Sequence, residues 1–412
     1  MRCRHCDEEL SLPFIDLGSA PPSNAYLTTQ SLRAPEKWFP LRVLVCTRCW
    51  LVQTEDYTGA DELFSPDYAY FSSYSTTWLQ HAERYVVDMI ERFGLHAGSH
   101  IVEIAANDGY LLQYVKARGI PCLGVEPTAG TASAARSKGI EIVQDFFGVS
   151  LARTLVAQGK QADLMIANNV LAHVPDINDF VAGFALLLKP KGVVTFEFPH
   201  LLHLVEQNQF DTIYHEHFSY LSLSVVSLIF AHNGLALFDV EELPTHGGSL
   251  RVYAQRLGSG FYEVSPRLER LVTKERAAGI STSKFYAGFQ DKADKVKNDF
   301  AAFLIGAKRE GKRVAGYGAA AKGSTLLNYA GIRPDLLPYV VDRNLNKHGK
   351  ILPGCRIPIV TEAHLRKERP DYVVILPWNL KDEVIDQLSY IRDWGGKFVT
   401  AVPSLTIHGE RS

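Results

Sequence analysis

The sequence predicts an α/β protein, built on a doubly wound sheet with a small cysteine-bearing module before it and a second strand–loop–helix lobe after it. Three observations predict this. Short apolar runs alternate with helical segments from His100 onward, the order that buries a parallel sheet between helices. The N-terminal residues before Asp61 are rich in Pro and carry four of the six cysteines. The same strand–loop–helix order resumes at Lys312, after a long charged stretch.

Length and composition narrow the class. At 412 residues the chain exceeds one ordinary core, so two or three domains are expected. The boundaries that fit the pattern are 1–64, 65–264 and 265–412. A content of 46% hydrophobic and 21% charged residues is that of a globular enzyme, not of a disordered chain. The formal net charge of −2 offers no global basic field, so no nucleic-acid partner is expected. No apolar run reaches the roughly 18 residues that would span a membrane. The longest, Leu221 to Phe238, is interrupted by Ser222, Ser224, Ser227, His232, Asn233 and Gly234. The first residues carry no hydrophobic signal-peptide stretch, so a cytoplasmic location with reduced thiols is expected.

The elements follow in order. Tyr- and Ser-rich residues from Asp67 to Ser75 lead into a helical pattern over Thr77–Phe93. Strands are expected at His100–Ile104, Cys122–Val125, Ile140–Val143, Leu164–Asn168 and Val193–Phe198. Most are bounded by Gly, Pro, Asn or Asp, as buried parallel strands tend to be. Helices fall between them, for example Gly109–Arg118 and Thr131–Lys138. Leu235–Val240 and Leu250–Gln255 flank His246-Gly247-Gly248 and read as an antiparallel hairpin closing the sheet. A charged helical stretch, Ser265 to Arg309, links two lobes. Beyond it come a strand at Lys312–Tyr317, a small-residue loop at Gly318–Gly323 and a helix starting over Ser324–Tyr329. Further strands are expected at Leu337–Asp342, Tyr372–Leu376 and Lys397–Ala401, which makes this lobe Rossmann-like in order.

Cys3-x-x-Cys6 and Cys46-x-x-Cys49 form two knuckles. A two-residue spacer lets two thiolates face one ion, and two such pairs complete a tetrahedral zinc site. The alternative is two unrelated pairs of reduced thiols. Four thiolates leave no open position for catalysis, so the zinc would be structural. Neither pair opens a helix after a strand, which disfavours a redox role.

The segment from Ile101 to Gly109 reads as a strand, a tight turn and the start of a helix. Small Ala105, Ala106 and Gly109 would let a ligand approach the backbone. Glu103 and Asp108 suit a cationic ligand better than a pyrophosphate, and no Gly-x-Gly-x-x-Gly loop is present. The second strand ends at Glu126, placed to accept hydrogen bonds from ribose hydroxyls. Asp145-Phe146-Phe147 follows the third strand and would flank an adenine ring, and Asn168-Asn169 follows the fourth. This series, with Asn107 in the first loop, resembles the class I S-adenosylmethionine methyltransferases over roughly residues 75–255. The resemblance implies a class I methyltransferase-type sheet. It implies S-adenosylmethionine as cofactor, held by Glu103, Ala105, Asn107, Asp108, Gly109, Glu126, Asp145, Phe146 and Asn168. A plain α/β sheet with acidic strand ends is the competing reading.

Tyr214-His215-Glu216-His217 is the most unusual polar cluster in the chain. Methylation at carbon needs a carbanion equivalent, and a proton next to a ketone is its accessible source. A histidine suits the removal of that proton near neutral pH. A Tyr hydroxyl or second His could donate to the enolate oxygen, and Glu216 could hold an imidazole in one tautomer. A His-x-His metal site and a purely structural cluster remain open alternatives.

The Cys-x-x-Cys pairs, Tyr68-Ala-Tyr70-Phe-Ser-Ser-Tyr, Glu103-Ile-Ala-Ala-Asn-Asp-Gly, Tyr214-His-Glu-His217 and His246-Gly-Gly-Ser-Leu-Arg251 occur in one order. That order resembles the sugar C-methyltransferases of deoxysugar pathways in antibiotic biosynthesis. Within them it is similar to the C-3′-methyltransferase acting on dTDP-3-amino-4-keto-2,3,6-trideoxyhexose. The resemblance implies that His217 is the base, with Tyr214, Glu216, His173 and Tyr68 lining the sugar site. It implies a small-molecule, dTDP-linked nucleotide-sugar substrate, with Tyr70, His246, Ser249 and Arg251 near it.

In the second lobe, Gly318, Lys322 and Ser324 lie between a strand and a helix. Helix N-terminal N–H groups with a nearby Lys suit a diphosphate. The order Lys-Gly-Ser is not the Gly-Lys-Ser/Thr of a Walker A loop. The resemblance favours the nucleotide of the sugar docking here, with Asp342 meeting its ribose or base. A tight turn packed through small residues is the competing reading. Two other functions compete with a methyltransferase: an NAD(P)-dependent oxidoreductase using the C-terminal lobe, and a zinc-dependent binding module with a degenerate methyltransferase fold.

Overall fold

The computed structural model describes residues 1–57 and 71–409. The strands in chain order begin with β1 (Leu12–Ala20), β2 (Phe39–Val45) and β3 (Val52–Thr54). Next come β4 (Ile101–Ile104), β5 (Cys122–Val125), β6 (Glu141–Val143), β7 (Ala162–Asn168) and β8 (Leu188–Pro199). Then follow β9 (Ser219–Tyr220), β10 (Leu235–Leu243) and β11 (Ser249–Arg256). The last six are β12 (Val314–Tyr317), β13 (Val340–Val341), β14 (Ile359–Val360), β15 (Tyr372–Ile375), β16 (Lys397–Thr400) and β17 (Thr406–His408).

The central sheet has the order β10-β11-β8-β7-β4-β5-β6. Strands β4 to β8 pair in parallel, while β11 is antiparallel to both β8 and β10. The expected hairpin therefore forms, but β11 inserts between β10 and the parallel strands. All four residues of β4 are buried, as the continuous apolar run required. The first strand of the sheet, β4, sits between β5 and β7, so the chain changes direction there. Ligands of such sheets bind outside the carboxyl ends of the strands at that switch point.

The helix Thr76–Phe93 covers the sheet with Ala82, Tyr85, Val86 and Met89 buried on one stripe. Ser75 caps its first turn by accepting from the Trp78 N–H, and Gly94 ends it at φ 61°.

The N-terminal residues form a strand meander where the sequence showed only a compact, helix-poor module. Its sheet has the order β1-β2-β3-β9, and β9 comes from far along the chain. Val52 pairs with Tyr220, and Gln53 with Ser219. The C-terminal sheet has the order β14-β13-β12-β15-β16-β17, parallel except for β17. Its own switch point lies between β12 and β15.

The charged stretch after Ser265 is more than a link. It breaks at Gly279 (φ 81°) and Gly288 (φ 75°) into the helices Pro266–Ala278, Ser283–Tyr286 and Phe289–Arg309. Phe289, Val296, Phe300 and Leu304 are buried at helical spacing beneath its charged face. One apolar cluster runs from Phe14 and Val43 through Leu202 and Phe210 to Phe300, Leu326 and Leu376. Phe14 stacks on Phe289 at 4.5 Å. Burial of each such side chain contributes about 1.5–3 kcal/mol, so the three parts are fastened through a shared core.

Candidate active site

The four cysteines meet as the spacing required. Cys3 and Cys49 Sγ lie 3.5 Å apart, as do Cys6 and Cys46. All four sulfurs fall within 4.8 Å of one another. A tetrahedral site with Zn–S bonds of about 2.3 Å has S···S edges of about 3.8 Å, so the group fits zinc. The Gln53 side-chain amide donates to Cys3 Sγ at 3.3 Å and the Cys49 N–H to Cys46 Sγ at 3.4 Å. Such donors stabilise thiolates and orient them.

This module grips the residues from His215 to Phe218 one after another. The Asn24 amide donates to Glu216 Oε1 at 3.1 Å. His215 Nε2 lies 3.2 Å from the Pro40 carbonyl. The Thr54 hydroxyl donates to the His217 carbonyl at 3.2 Å, and Arg4 Nε to the Phe218 carbonyl at 3.2 Å. Pairing of β3 with β9 follows at once in the chain.

His217 Nδ1 lies 2.8 Å from the Thr212 carbonyl, an acceptor only, so Nδ1 carries the proton. The lone pair is left on Nε2. Burial, with His173 beside it, holds His217 well below the ordinary imidazole value, so the ring is neutral. Its centroid is 4.0 Å from the Tyr214 ring and 4.6 Å from the His173 ring. His173 is set the same way: Nδ1 lies 2.8 Å from the Glu216 carbonyl, and burial pushes its value down to about 4.

Two expectations for this run are corrected. Glu216 does not hold an imidazole. Its Oε1 takes Asn24, its Oε2 is buried without a partner among the described residues, and a backbone carbonyl orients His217 instead. The run is a turn rather than a strand, and His215 and His217 engage carbonyls of different segments, Phe39–Pro40 and Thr212. That arrangement does not make a His-x-His metal pair.

The loop after β4 has the conformation of a ligand cradle. Ala105 (φ 57°) and Asn107 (φ 49°) lie in the left-handed region, where a residue with a Cβ is strained. Gly109 (φ 74°) cannot be replaced freely, because a Cβ there would meet Ile140 Cδ1 at 2.4 Å. Among the described residues, both Glu103 carboxyl oxygens, Asp108 Oδ1 and Asn168 Oδ1 are buried with no close hydrogen-bond partner, and the Tyr110 hydroxyl is the polar group nearest Glu103 and Asn168. Burial drives the Glu103 carboxyl well above the carboxylate range. A cationic ligand would relieve that cost, so these residues fit S-adenosylmethionine. Glu126 is partly engaged: it accepts from the Asn107 N–H, the Thr128 N–H and the Thr131 hydroxyl at 2.9–3.0 Å. A carboxylate has about four acceptor sites, which leaves room for a ribose hydroxyl. Asp145 is exposed and Phe146 half-exposed beyond β6. The Ser72 N–H donates to Asn107 Oδ1 at 2.9 Å, tying Ser72 to the loop.

His246 sits in the site at a strained φ of 54°, 5.4 Å from the Trp78 ring. Burial and nearby Lys322 push it down to about 4. Ser249 and Arg251 are instead engaged by the protein. Ser249 donates to the Thr245 carbonyl at 2.9 Å, and Arg251 pairs with buried Glu197 at 3.1 Å. Glu197 also meets His81 and Thr245 at 2.9 Å, so this network braces the His246 loop from behind.

In the C-terminal lobe, Gly318 (φ 88°) packs against Pro377, where a Cβ would meet Pro377 Cδ at 2.4 Å. Asp342 accepts from the Ala319 N–H at 2.8 Å, and Ser324 Oγ is buried without a partner among the described residues. Lys322 Nζ donates to Asn379 at 2.9 Å and lies 4.7 Å over the Trp378 ring. Burial lowers it to about 8. Tyr68 and Tyr70 lie outside the described residues.

Asp211, Thr212, Trp378, Asn24 and Glu197 also shape the site, and sequence reasoning missed them. Trp378 had a usable signal, since it follows β15 at the carboxyl end of a switch-point strand. The others act through tertiary contacts that leave no local pattern.

Residues 78–240 match the family described as "Methyltransferase domain", residues 244–403 the family "C-methyltransferase C-terminal domain" and residues 3–64 the family "Putative zinc binding domain". The C-methyltransferase NovU of Streptomyces niveus is 35% identical over 401 residues, which is 97% of this chain and 95% of NovU. Among solved structures, magnesium protoporphyrin IX methyltransferase (ChlM) from Synechocystis PCC 6803 with bound SAM is 16% identical. It covers 43% of this chain and 79% of its own, with a TM-score of 0.34. The PH0226 protein from Pyrococcus horikoshii OT3 is 15% identical over 49% of this chain and 100% of its own, with a TM-score of 0.38. Neither structural likeness is close enough to carry the assignment. The strand order, the acid-lined loop after β4 and the family match over 78–240 define a class I S-adenosylmethionine-dependent methyltransferase. The identity with NovU runs through all three parts, so the chain belongs to the C-methyltransferase family that includes NovU. It is an S-adenosylmethionine-dependent C-methyltransferase with a zinc-binding N-terminal domain. Among the described residues, no helix is long and apolar enough to cross a membrane.

Proposed function

We propose that the enzyme methylates the carbon next to the ketone of a dTDP-linked 4-ketodeoxysugar, at C-3′. The supporting observation is the tautomer of His217: Nδ1 is committed to Thr212, and the neutral ring presents the Nε2 lone pair as a base. On this reading His217 removes the proton alpha to the ketone, and the electron pair moves into an enolate. Tyr214, tilted over it, and His173, edge-on to it, border the sugar. On the same reading Tyr68, Tyr70 and His246 also serve the sugar. S-adenosylmethionine supplies the electrophilic methyl group when bound. Glu103, Ala105, Asn107, Asp108, Gly109 and Asn168 cradle it, with Glu126 toward the ribose and Asp145 and Phe146 toward the adenine. Gly318, Lys322 and Ser324 serve the nucleotide of the substrate. Ser249 and Arg251 act by bracing the His246 loop. The functional division is 1–64 for zinc, 65–264 for the cofactor and 265–412 for the nucleotide.

Mass spectrometry of nucleotide-linked 4-ketohexoses incubated with the enzyme and S-adenosylmethionine tests the substrate. A gain of one methylene mass on dTDP-3-amino-4-keto-2,3,6-trideoxyhexose is expected. No gain on any dTDP-linked ketosugar would sink the reading.

A further inference from the structure

The carbonyl that sets the His217 tautomer belongs to a short turn, Phe210–Thr212, and that turn is gripped from the C-terminal lobe. Trp378 Nε1 donates to Asp211 Oδ2 at 2.8 Å. The Thr325 hydroxyl donates to the Ile213 carbonyl at 2.9 Å. The Tyr329 ring meets Phe210 at 5.7 Å. Asp211 is fully buried, and its Oδ1 has no hydrogen-bond partner among the described residues. A half-satisfied buried carboxyl is expensive, and an apolar residue would pack such a turn at less cost. The feature that Asp211 adds is a fixed acceptor for Trp378, one residue before the carbonyl that orients the base.

Trp378 follows β15, and Lys322, whose ammonium lies over the Trp378 ring, follows β12. These are the two strands flanking the switch point of the C-terminal sheet, where a ligand's handle would dock. The same indole thus lies under Lys322 at that switch point and holds the turn behind the base. We propose that Asp211 and Trp378 form a positioning pair that makes alignment of the His217 imidazole depend on the C-terminal lobe. This rests on the reading of His217 as the base. Neither residue touches the reacting carbon in this scheme; they act through the Thr212 carbonyl.

The test uses the full-length, zinc-loaded enzyme with dTDP-3-amino-4-keto-2,3,6-trideoxyhexose as probe. Solvent-deuterium exchange at the substrate carbon, kcat and both KM values are measured for Trp378→Phe, Asp211→Leu, Asp211→Asn and the Trp378→Phe/Asp211→Leu double variant. Trp378→Phe keeps the ring under Lys322 but removes the donor. It and Asp211→Leu are expected to slow exchange and kcat about ten- to a hundredfold, the range for a misplaced catalytic group. KM values should stay near wild type, and the double variant should be no worse than the worse single one. Asp211→Asn still offers an oxygen to Trp378 and should retain most of the rate. Wild-type exchange in Trp378→Phe, losses confined to KM, or equal loss in the Asn and Leu variants would each overturn the proposal. His217→Asn run in parallel separates the two claims. If it keeps normal exchange, the base assignment fails; if it alone loses exchange, only the positioning pair fails.

Discussion

On the proposed reading, His217 serves as a base because of what surrounds it, not because it is a histidine. Thr212 fixes which nitrogen is protonated, and burial keeps the ring uncharged. Replacement by Asn should therefore lower kcat roughly a hundred- to ten-thousandfold, the usual worth of general base catalysis, while S-adenosylmethionine still binds by calorimetry. The pH profile follows from the same geometry. The base must be neutral, and its folded value lies below the ordinary imidazole range, so activity should not fall as pH drops through about 6.5. Lys322, lowered to about 8, loses its charge as pH rises through that value. If its ammonium serves the substrate, kcat/KM should decline above about pH 8, and Lys322→Met should remove that alkaline limb. A limb near the ordinary imidazole value would contradict the assigned state of His217. The sequence showed His217 through its unusual neighbours. It could not show Thr212, because a backbone carbonyl has no signature, and Glu216 looked like the natural partner only while its tie to Asn24 was invisible.

Among the elements, the zinc knuckles and the cofactor loop have separable jobs. Loss of a thiolate removes a tetrahedral ligand, and structural zinc sites lose their fold with the metal. Cys46→Ser should lower zinc content by mass spectrometry, and it should also lower kcat, because β3 carries β9 and the residues just before it. S-adenosylmethionine affinity should survive, since the cofactor loop belongs to the central sheet. Full activity in a zinc-free variant would show that the module does not position the Tyr214–His217 run. Gly109→Ala acts on the other element. Its Cβ would meet Ile140, at a φ that already costs about 1–2 kcal/mol for a residue with a side chain. Weakened cofactor binding with zinc content unchanged is expected, and unchanged affinity would mean that the loop adapts. The strands β4, β5, β7 and β8 were readable as apolar runs with clear boundaries. The two-residue β9 was not, because its pairing partner lies far away in the chain and pairs that short leave no periodicity.

For the whole molecule, three sheets interlock rather than following one another as beads. The N-terminal sheet borrows a strand from the segment after His217, and the long helices after Ser265 share a core with both neighbours. The sequence conveyed the succession of parts, because each carries its own motif. It did not convey their interlocking, which depends on Phe14 meeting Phe289 and Trp378 meeting Asp211 across long chain separations. All of this geometry serves methyl transfer to carbon, which on the proposed reading lies next to a ketone. The decisive measurement is carbon NMR of the product formed from S-adenosylmethionine with a 13C-labelled methyl group and dTDP-3-amino-4-keto-2,3,6-trideoxyhexose, using wild-type enzyme and His217→Asn. The label should appear as a methyl on sugar C-3′ with wild-type enzyme and be absent with His217→Asn. A label on oxygen or nitrogen, or undiminished C-methylation by the variant, would contradict the account.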